Sequence, residues 1–288
     1  TLKLKGAETT MQFTVYPSEK QSVENITVVA RFENGQTFSQ ELIEIDYDHI
    51  PFQTVLLPSE SKIVRLDIKK RGENIAYIQG AGDVVPESLE QIGYQVRIIT
   101  PDEINAETLG LFDAVVVGIR AYNTIEDLNF KQQQLFDFVA NGGNMIVQYN
   151  TRHRVKVDVL APYDLKLSRD RVTDETAEVR FLKPDHEVLN FPNKITQTDF
   201  DGWTQERGLY FPGEWGPEFT PILSMNDKGE TAKNGSLLVA KHGKGHYIYT
   251  GLSFFREFPA GVSGAYRLFA NMLSIGKDTI ETNQKLND

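Results

Sequence analysis

A chain of 288 residues suffices for one large domain or two ordinary ones, and 40% apolar residues supply ample core. Its net charge of -10, with no Lys/Arg run, argues against a nucleic-acid partner, and no stretch approaches the roughly twenty apolar residues of a membrane span. With no cysteine, a disulfide framework, a thiolate zinc site and a Cys nucleophile are all excluded.

Residues 1–71 alternate apolar and polar, as half-buried strands do. Met11, Phe13 and Val15 share one face of a strand, and Ile26, Val28, Ala30 and Phe32 one face of another. Asn34-Gly35 signals a hairpin. A three-residue loop from Asn34 to Gln36 pairs Phe32 with Phe38 and Val28 with Leu42, keeping apolar partners on one side, and is preferred to a two-residue turn. With a strand at Ile63–Ile68, the segment reads as a small antiparallel β-sandwich, whole or partial, serving as a spacer.

The pattern changes near Gly72, and residues 72–288 read as an α/β domain. Ile75–Ile78 is a buried strand, Pro86 opens a helix that Gly93 closes, and Tyr94–Ile99 is the next strand. Thr100-Pro101-Asp102-Glu103 starts another helix. Phe112–Ile119 is a β-branched run of the kind buried on both faces of a parallel sheet. Thr124 offers a hydroxyl N-cap with Asp127 three positions on, a helix follows through Leu135, Phe136 and Val139, and Asn141-Gly142-Gly143 ends it. Met145–Tyr149 is a second buried strand, completing a βαβ unit. Residues 151–235 loosen, with short strands expected at Ala177–Leu182, Ile195–Thr198 and Gly208–Phe211. Ser236–Ala240 and His246–Thr250 then form a hairpin, and Tyr266, Phe269, Ala270 and Leu273 mark an amphipathic helix. The expected fold is a mostly parallel sheet with helices on both faces.

Such sheets bind ligands at the carboxyl ends of their strands. Those ends place Arg120, Tyr122, Asn150 and Arg152 as candidates to hold a carboxylate or sugar hydroxyls. Asp201, Trp203, Glu206 and Arg207, beside Asp199 and Tyr210, pair carboxylates with an aromatic platform, as a sugar site does, and Trp215 offers a second stacking surface. Structural pairing among these charges is an equally open reading. Three motifs fail on inspection. Gly80-Ala81-Gly82 lacks the third glycine of a dinucleotide fingerprint. Gly251-Leu252-Ser253 has Phe255 where a nucleophile elbow needs glycine. His242 and His246 fall across a glycine turn, not a helix. No catalytic residue, metal ligand or cofactor is assigned.

The stretches FDAVVVGIRAY, FVANGGNMIVQYN, PDHEVLNF and GKGHYIYTGLSFF, in that order, resemble the class I glutamine amidotransferase-like fold, in particular its ThuA-like branch, over most of residues 73–276. In that family the strand after the glycine pair ends in a nucleophilic cysteine. Here the region reads Gln148-Tyr149-Asn150, so glutaminase activity is not expected. The whole chain also looks like the C-terminal portion of long PIG-L/LmbE-type deacetylases. That resemblance implies an accessory module of a secreted enzyme, periplasmic or extracellular. Its separate N-terminal domain would use zinc to deacetylate an amino sugar. The His-Pro-Asp-Asp zinc motif of that domain is missing, and Pro184-Asp185-His186 is a chance reversal of it. The opening at Thr1 without methionine reads as a fragment or processed product. The expected role is a non-catalytic module that binds carbohydrate or positions the catalytic domain. The alternatives are an independent sugar hydrolase using Asp201 or Glu206, or a purely structural domain.

Overall fold

The computed structural model describes residues 8–16 and 18–277. The chain divides into two compact units, Thr1–Asp67 and Ile68–Asp288.

The first unit is built of small antiparallel sheets: β1 (Ser22–Thr27) with β6 (Glu60–Arg65), β2 (Ala30–Arg31) with β3 (Thr37–Phe38), and β4 (Gln40–Ile45) with β5 (Gln53–Pro58). The Asn34-Gly35 hairpin has a three-residue loop, but it spans Glu33–Gly35 and pairs Ala30 with Phe38 and Arg31 with Thr37. The reason is local. Gly35 takes φ +85 as the last loop residue, and the Asn34 side chain accepts the Gln36 amide at 3.0 Å. Phe32 and Phe38 still touch diagonally, edge to face, with centroids 5.4 Å apart. Val28 bonds to Ser59 instead of pairing with Leu42. Met11, Phe13 and Val15 are exposed and lie outside any strand.

The second unit is centred on the strands β7 (Asn74–Ile78), β8 (Gln95–Ile98), β9 (Ala114–Val117), β10 (Asn144–Val147), β14 (Phe219–Pro221), β16 (Leu237–His242) and β17 (Gly245–Thr250). They form a seven-stranded mixed sheet in the order β14-β16-β17-β10-β9-β7-β8. The five from β8 to β17 are parallel neighbours, and β16 and β14 extend the sheet by antiparallel pairing. The continuous apolar runs of β7, β9 and β10 are buried on both faces, as their sequences require. On one face, Met145 and Val147 pack with Leu135, Phe136 and Val139 of the helix Gln132–Ala140. On the other, Asn144 donates to the Leu273 and Ile275 carbonyls at 3.0 and 2.8 Å, anchoring the end of the helix Ser263–Ser274. That amide caps carbonyls which no helical donor can reach.

Several elements differ from expectation. The helix expected from Thr124 is broken into Ala121–Thr124, a 3-10 turn Glu126–Phe130, and Gln132–Ala140. Thr124 does not cap it, because its hydroxyl donates back to the Arg120 carbonyl at 3.1 Å. Ile195–Thr198 is not a strand. Asp199 accepts the Thr196 amide at 2.7 Å, closing a capping box that coils Gln197–Phe200 into a 3-10 turn. An eight-residue strand, β11 (Leu165–Val172), lies in the stretch expected to be irregular and pairs with β13 (Gly208–Trp215). The strand expected at Ala177–Leu182 shrinks to β12 (Arg180–Phe181), paired with β15 (Leu223–Ser224).

Candidate functional site

The carboxyl ends of the strands are fastened by their own polar groups. Arg120 leaves β9 in the left-handed conformation, φ 56, and its amide donates to the Tyr149 carbonyl at 2.9 Å. This ties the exit of β9 to that of β10 and leaves the Arg120 side chain exposed. Asn150 is fully buried and spends its polar atoms on the fold: its carbonyl oxygen accepts the Tyr122 amide at 2.9 Å, its side-chain amide donates to Gln148 O, and its backbone amide donates to the Tyr249 hydroxyl. Tyr122 is likewise buried, its hydroxyl directed at Gln132. Arg152 is exposed and forms no ion pair among the described residues.

The excursion between β10 and β16 raises a wall over these ends. β11 and β13 pair with repeated register shifts between Lys166 and Val172. Ser168 stabilises the irregularity, donating to Phe211 O at 2.7 Å and accepting the Asp170 amide at 2.8 Å. Such bulges re-aim side chains, and here Arg169 and Arg171 both line a cleft of 440 Å³, with Glu206, Leu209, Tyr210 and Arg256. Behind Tyr210 the Tyr149 ring lies nearly parallel, with centroids 6.2 Å apart and planes at 11°, and Phe255 packs on Tyr149 at 5.3 Å. Burial raises the Tyr149 hydroxyl above its ordinary pKa, against the opposing fields of Arg120 and Arg256. Arg120, Arg154, Gln205 and Tyr210 are the non-glycine residues with left-handed backbone among those described, and all lie in segments that build this end. Conformations of this kind cost about 1 kcal/mol or more each and persist where surrounding structure enforces them.

The loop 201–207 is divided between cleft and core. Glu206 forms an ion pair with Arg256 at 2.9 Å, and Arg256 also meets the Gln205 side chain. Asp201 is exposed and forms no ion pair among the described residues, although its charge acts on Arg207. Trp203 is buried, stacked on Phe200 at 5.6 Å, with its indole N–H donated to Asp199 O. Arg207 is also buried, its guanidinium bonding the Ala177 and Phe200 carbonyls, and desolvation lowers its pKa. Trp215 is half-buried against the core that contains Tyr247 and Phe219. Beneath the loop, Ser253 is buried and donates to Glu206 O at 2.6 Å. Glu257 accepts the Thr204 amide at 2.9 Å and lies 3.0 Å from the Ser253 hydroxyl. Burial pushes its carboxyl up to about 7.

Of the sequence candidates, the structure brings Glu206 into the cleft and Arg120 to its edge through Tyr149. It places Tyr122, Asn150, Trp203 and Arg207 inside the fold. Arg169, Arg171, Tyr149 and Arg256 were not anticipated. The signal for two of them was present: Arg169-Asp170-Arg171-Val172 alternates, so two arginines share one strand face. Among the described residues no group of three or more His, Cys, Asp or Glu could hold a metal ion, and no helix is long and apolar enough to cross a membrane.

No family model matches the sequence, and no curated protein matches it either. Solved structures similar to the chain include one from Thermoplasma acidophilum described as a GMP synthase component. That match has 10% identity and a TM-score of 0.44, covering 71% of this chain and 96% of the other. A cytoplasmic protein of Salmonella typhimurium LT2 is 14% identical over 81% of this chain and 95% of its own, with a TM-score of 0.45. A ThuA-like protein from Bacteroides uniformis is 14% identical over 72% and 92%, with a TM-score of 0.41. The α/β architecture given above rests on the strand order of the chain itself.

Proposed function

We propose that this chain is a non-catalytic carbohydrate-binding module, acting beside a zinc deacetylase domain of a periplasmic or extracellular protein. The observation that carries the binding reading is the cleft over the strand ends, where Tyr210 presents its ring backed by Tyr149 and arginines supply hydrogen-bond donors around it. Sugar rings bring both an apolar face and a rim of hydroxyls, and a supported aromatic ring with fixed donors meets both. The absence of a role in bond cleavage is supported by the state of the candidate acids. Glu206 is committed to Arg256, and Asp201 lies outside the lining of the cleft. The buried Ser253 hydroxyl points at a backbone carbonyl and not into the cleft.

The test is calorimetric titration of the full chain with neutral, N-acetylated and free-amino oligosaccharides, in parallel with assays for released sugar and acetate. Saturable binding without turnover, weakened at least tenfold by Tyr210→Ala, is the expected result. Turnover abolished by Glu206→Gln or Asp201→Asn would establish the independent hydrolase instead. A panel of neutral and anionic saccharides that shows no binding at all would leave the domain a structural one.

A further inference from the structure

We propose that the saccharide taken by this cleft is anionic, carrying a carboxylate or sulfate group that Arg169 and Arg171 grip; the inference rests on the carbohydrate reading above and specifies its ligand class. The whole chain is acidic, with a net charge of -10, yet the cleft lining inverts that balance. Arg169, Arg171 and Arg256 face a single carboxylate, Glu206, and that carboxylate is already paired with Arg256. The two strand arginines are the ones in the lining that form no ion pair among the described residues.

Their surroundings keep them so. Asp170, between them in sequence, turns the other way and pairs with Lys233 at 3.6 Å. Asp227 is near enough for its charge to act on Arg171, but its oxygens are taken up by the Thr173 and Asp174 amides and the Thr173 hydroxyl, so it makes no direct ion pair with the guanidinium. Arg171 forms no ion pair among the described residues. Arg169 meets the Nε2 atom of His153 at 2.6 Å, a neutral partner when it accepts, which orients the guanidinium without cancelling its charge. A guanidinium offers a planar fork of donors matched to carboxylate and sulfate oxygens, and here two of them line one cleft. Arg120 adds a further exposed cation at the edge, close enough to act on the Tyr149 hydroxyl. The aromatic surface beside them separates this site from a simple anion hole: Tyr210 gives a ring-sized platform adjoining the two forks.

The test titrates the full chain with an oligogalacturonate and its carboxyl-reduced neutral counterpart, and with a sulfated galactan oligomer and its desulfated counterpart. Polyphosphate serves as a polyanion without sugar rings. One or both anionic saccharides should bind at least tenfold more tightly than the neutral partner, and the arm that does so tells carboxylate from sulfate. Arg171→Gln and Arg169→Gln should each remove about tenfold of that preference, the gain of one charge-assisted contact. Raising the salt should weaken binding further. Tyr210→Ala should reduce saccharide binding and leave any polyphosphate binding unchanged. Equal affinity for charged and neutral partners would overturn the anionic assignment while leaving the carbohydrate reading intact. Binding of polyphosphate as tight as that of the saccharides, insensitive to Tyr210→Ala, would overturn it as well. Circular dichroism of each variant excludes loss of fold as the cause.

Discussion

Glu257 makes the stability of the second unit depend on pH in a way that one substitution should remove. The carboxyl is fully buried, accepts the Thr204 amide at 2.9 Å and lies 3.0 Å from Ser253 Oγ, whose proton is already given to Glu206 O at 2.6 Å. A serine has one proton to give. A neutral carboxyl that donates to Ser253 satisfies every bond, whereas a carboxylate leaves two oxygens facing each other. Burial raises the group from its ordinary 4.5 to about 7. Because the folded value is the higher one, the stability contributed is fully present below pH 4.5 and is lost as the pH rises through 7. The loss is about 3 kcal/mol, taking 1.36 kcal/mol for each pH interval between the two values. For a domain of this size that corresponds to a fall in Tm of about 8 °C. Glu257→Gln keeps the shape, donates to Ser253 through its amide and accepts from Thr204 through its oxygen. Thermal melts of both proteins from pH 4.5 to 8.5 should start close together and diverge, with the Gln variant the more stable at high pH. Parallel curves across the whole range would refute the reasoning.

Three further outcomes follow from particular contacts. A Cβ on Gly80 would sit 2.1 Å from the Ile119 carbonyl oxygen, where backbone meets backbone, so Gly80→Ala should cost about 3 kcal/mol or more in urea unfolding. Asn144→Ala strips the Leu273 and Ile275 carbonyls of their donor, and should cost about 2 kcal/mol and speed hydrogen exchange at the end of the last helix. Tyr210→Gly relieves a left-handed residue at φ 52. It should leave Tm unchanged or raise it by a few degrees while abolishing saccharide binding, so that a large fall in Tm would mean the ring is structural.

The parallel sheet was legible because its strands are buried on both faces. Ile75–Ile78, Ala114–Val117 and Met145–Val147 have little use for polar residues, and their runs stand out against any helix or loop. Where a side chain competes with the backbone, the reading failed. Thr124 and Asp199 each form a local hydrogen bond that decides the turn, and propensity cannot say which direction a hydroxyl will donate. The candidate site was half legible for a related reason. Strand ends could be located, so Arg120 and the neighbourhood of Asn150 were found. The opposing wall depends on the pairing of β11 with β13 across 36 or more residues, and on bulges that only tertiary contacts fix. Trp203 and Arg207 looked like ligand residues because Trp and Arg beside acids suit a surface. Trp203 is buried against Phe200 and Asp199 by the local 3-10 turn, in a stretch that reads as a strand in the sequence, and Arg207 by the Ala177 carbonyl 30 residues away, which sequence spacing does not bring near.

The sheet also governs how copies of this chain meet one another. Open sheets invite edge-to-edge addition, because outer strands carry unpaired amides and carbonyls. Here one border is β14, three residues long and ending in Pro221, which has no amide to offer. The other is β8, four residues long, with Arg97 held out in an ion pair to Glu103. Both borders are too short and too interrupted to template another strand. Association of this unit through its central sheet is thereby discouraged at each end, and concentrated solutions should be limited by other surfaces before these edges join.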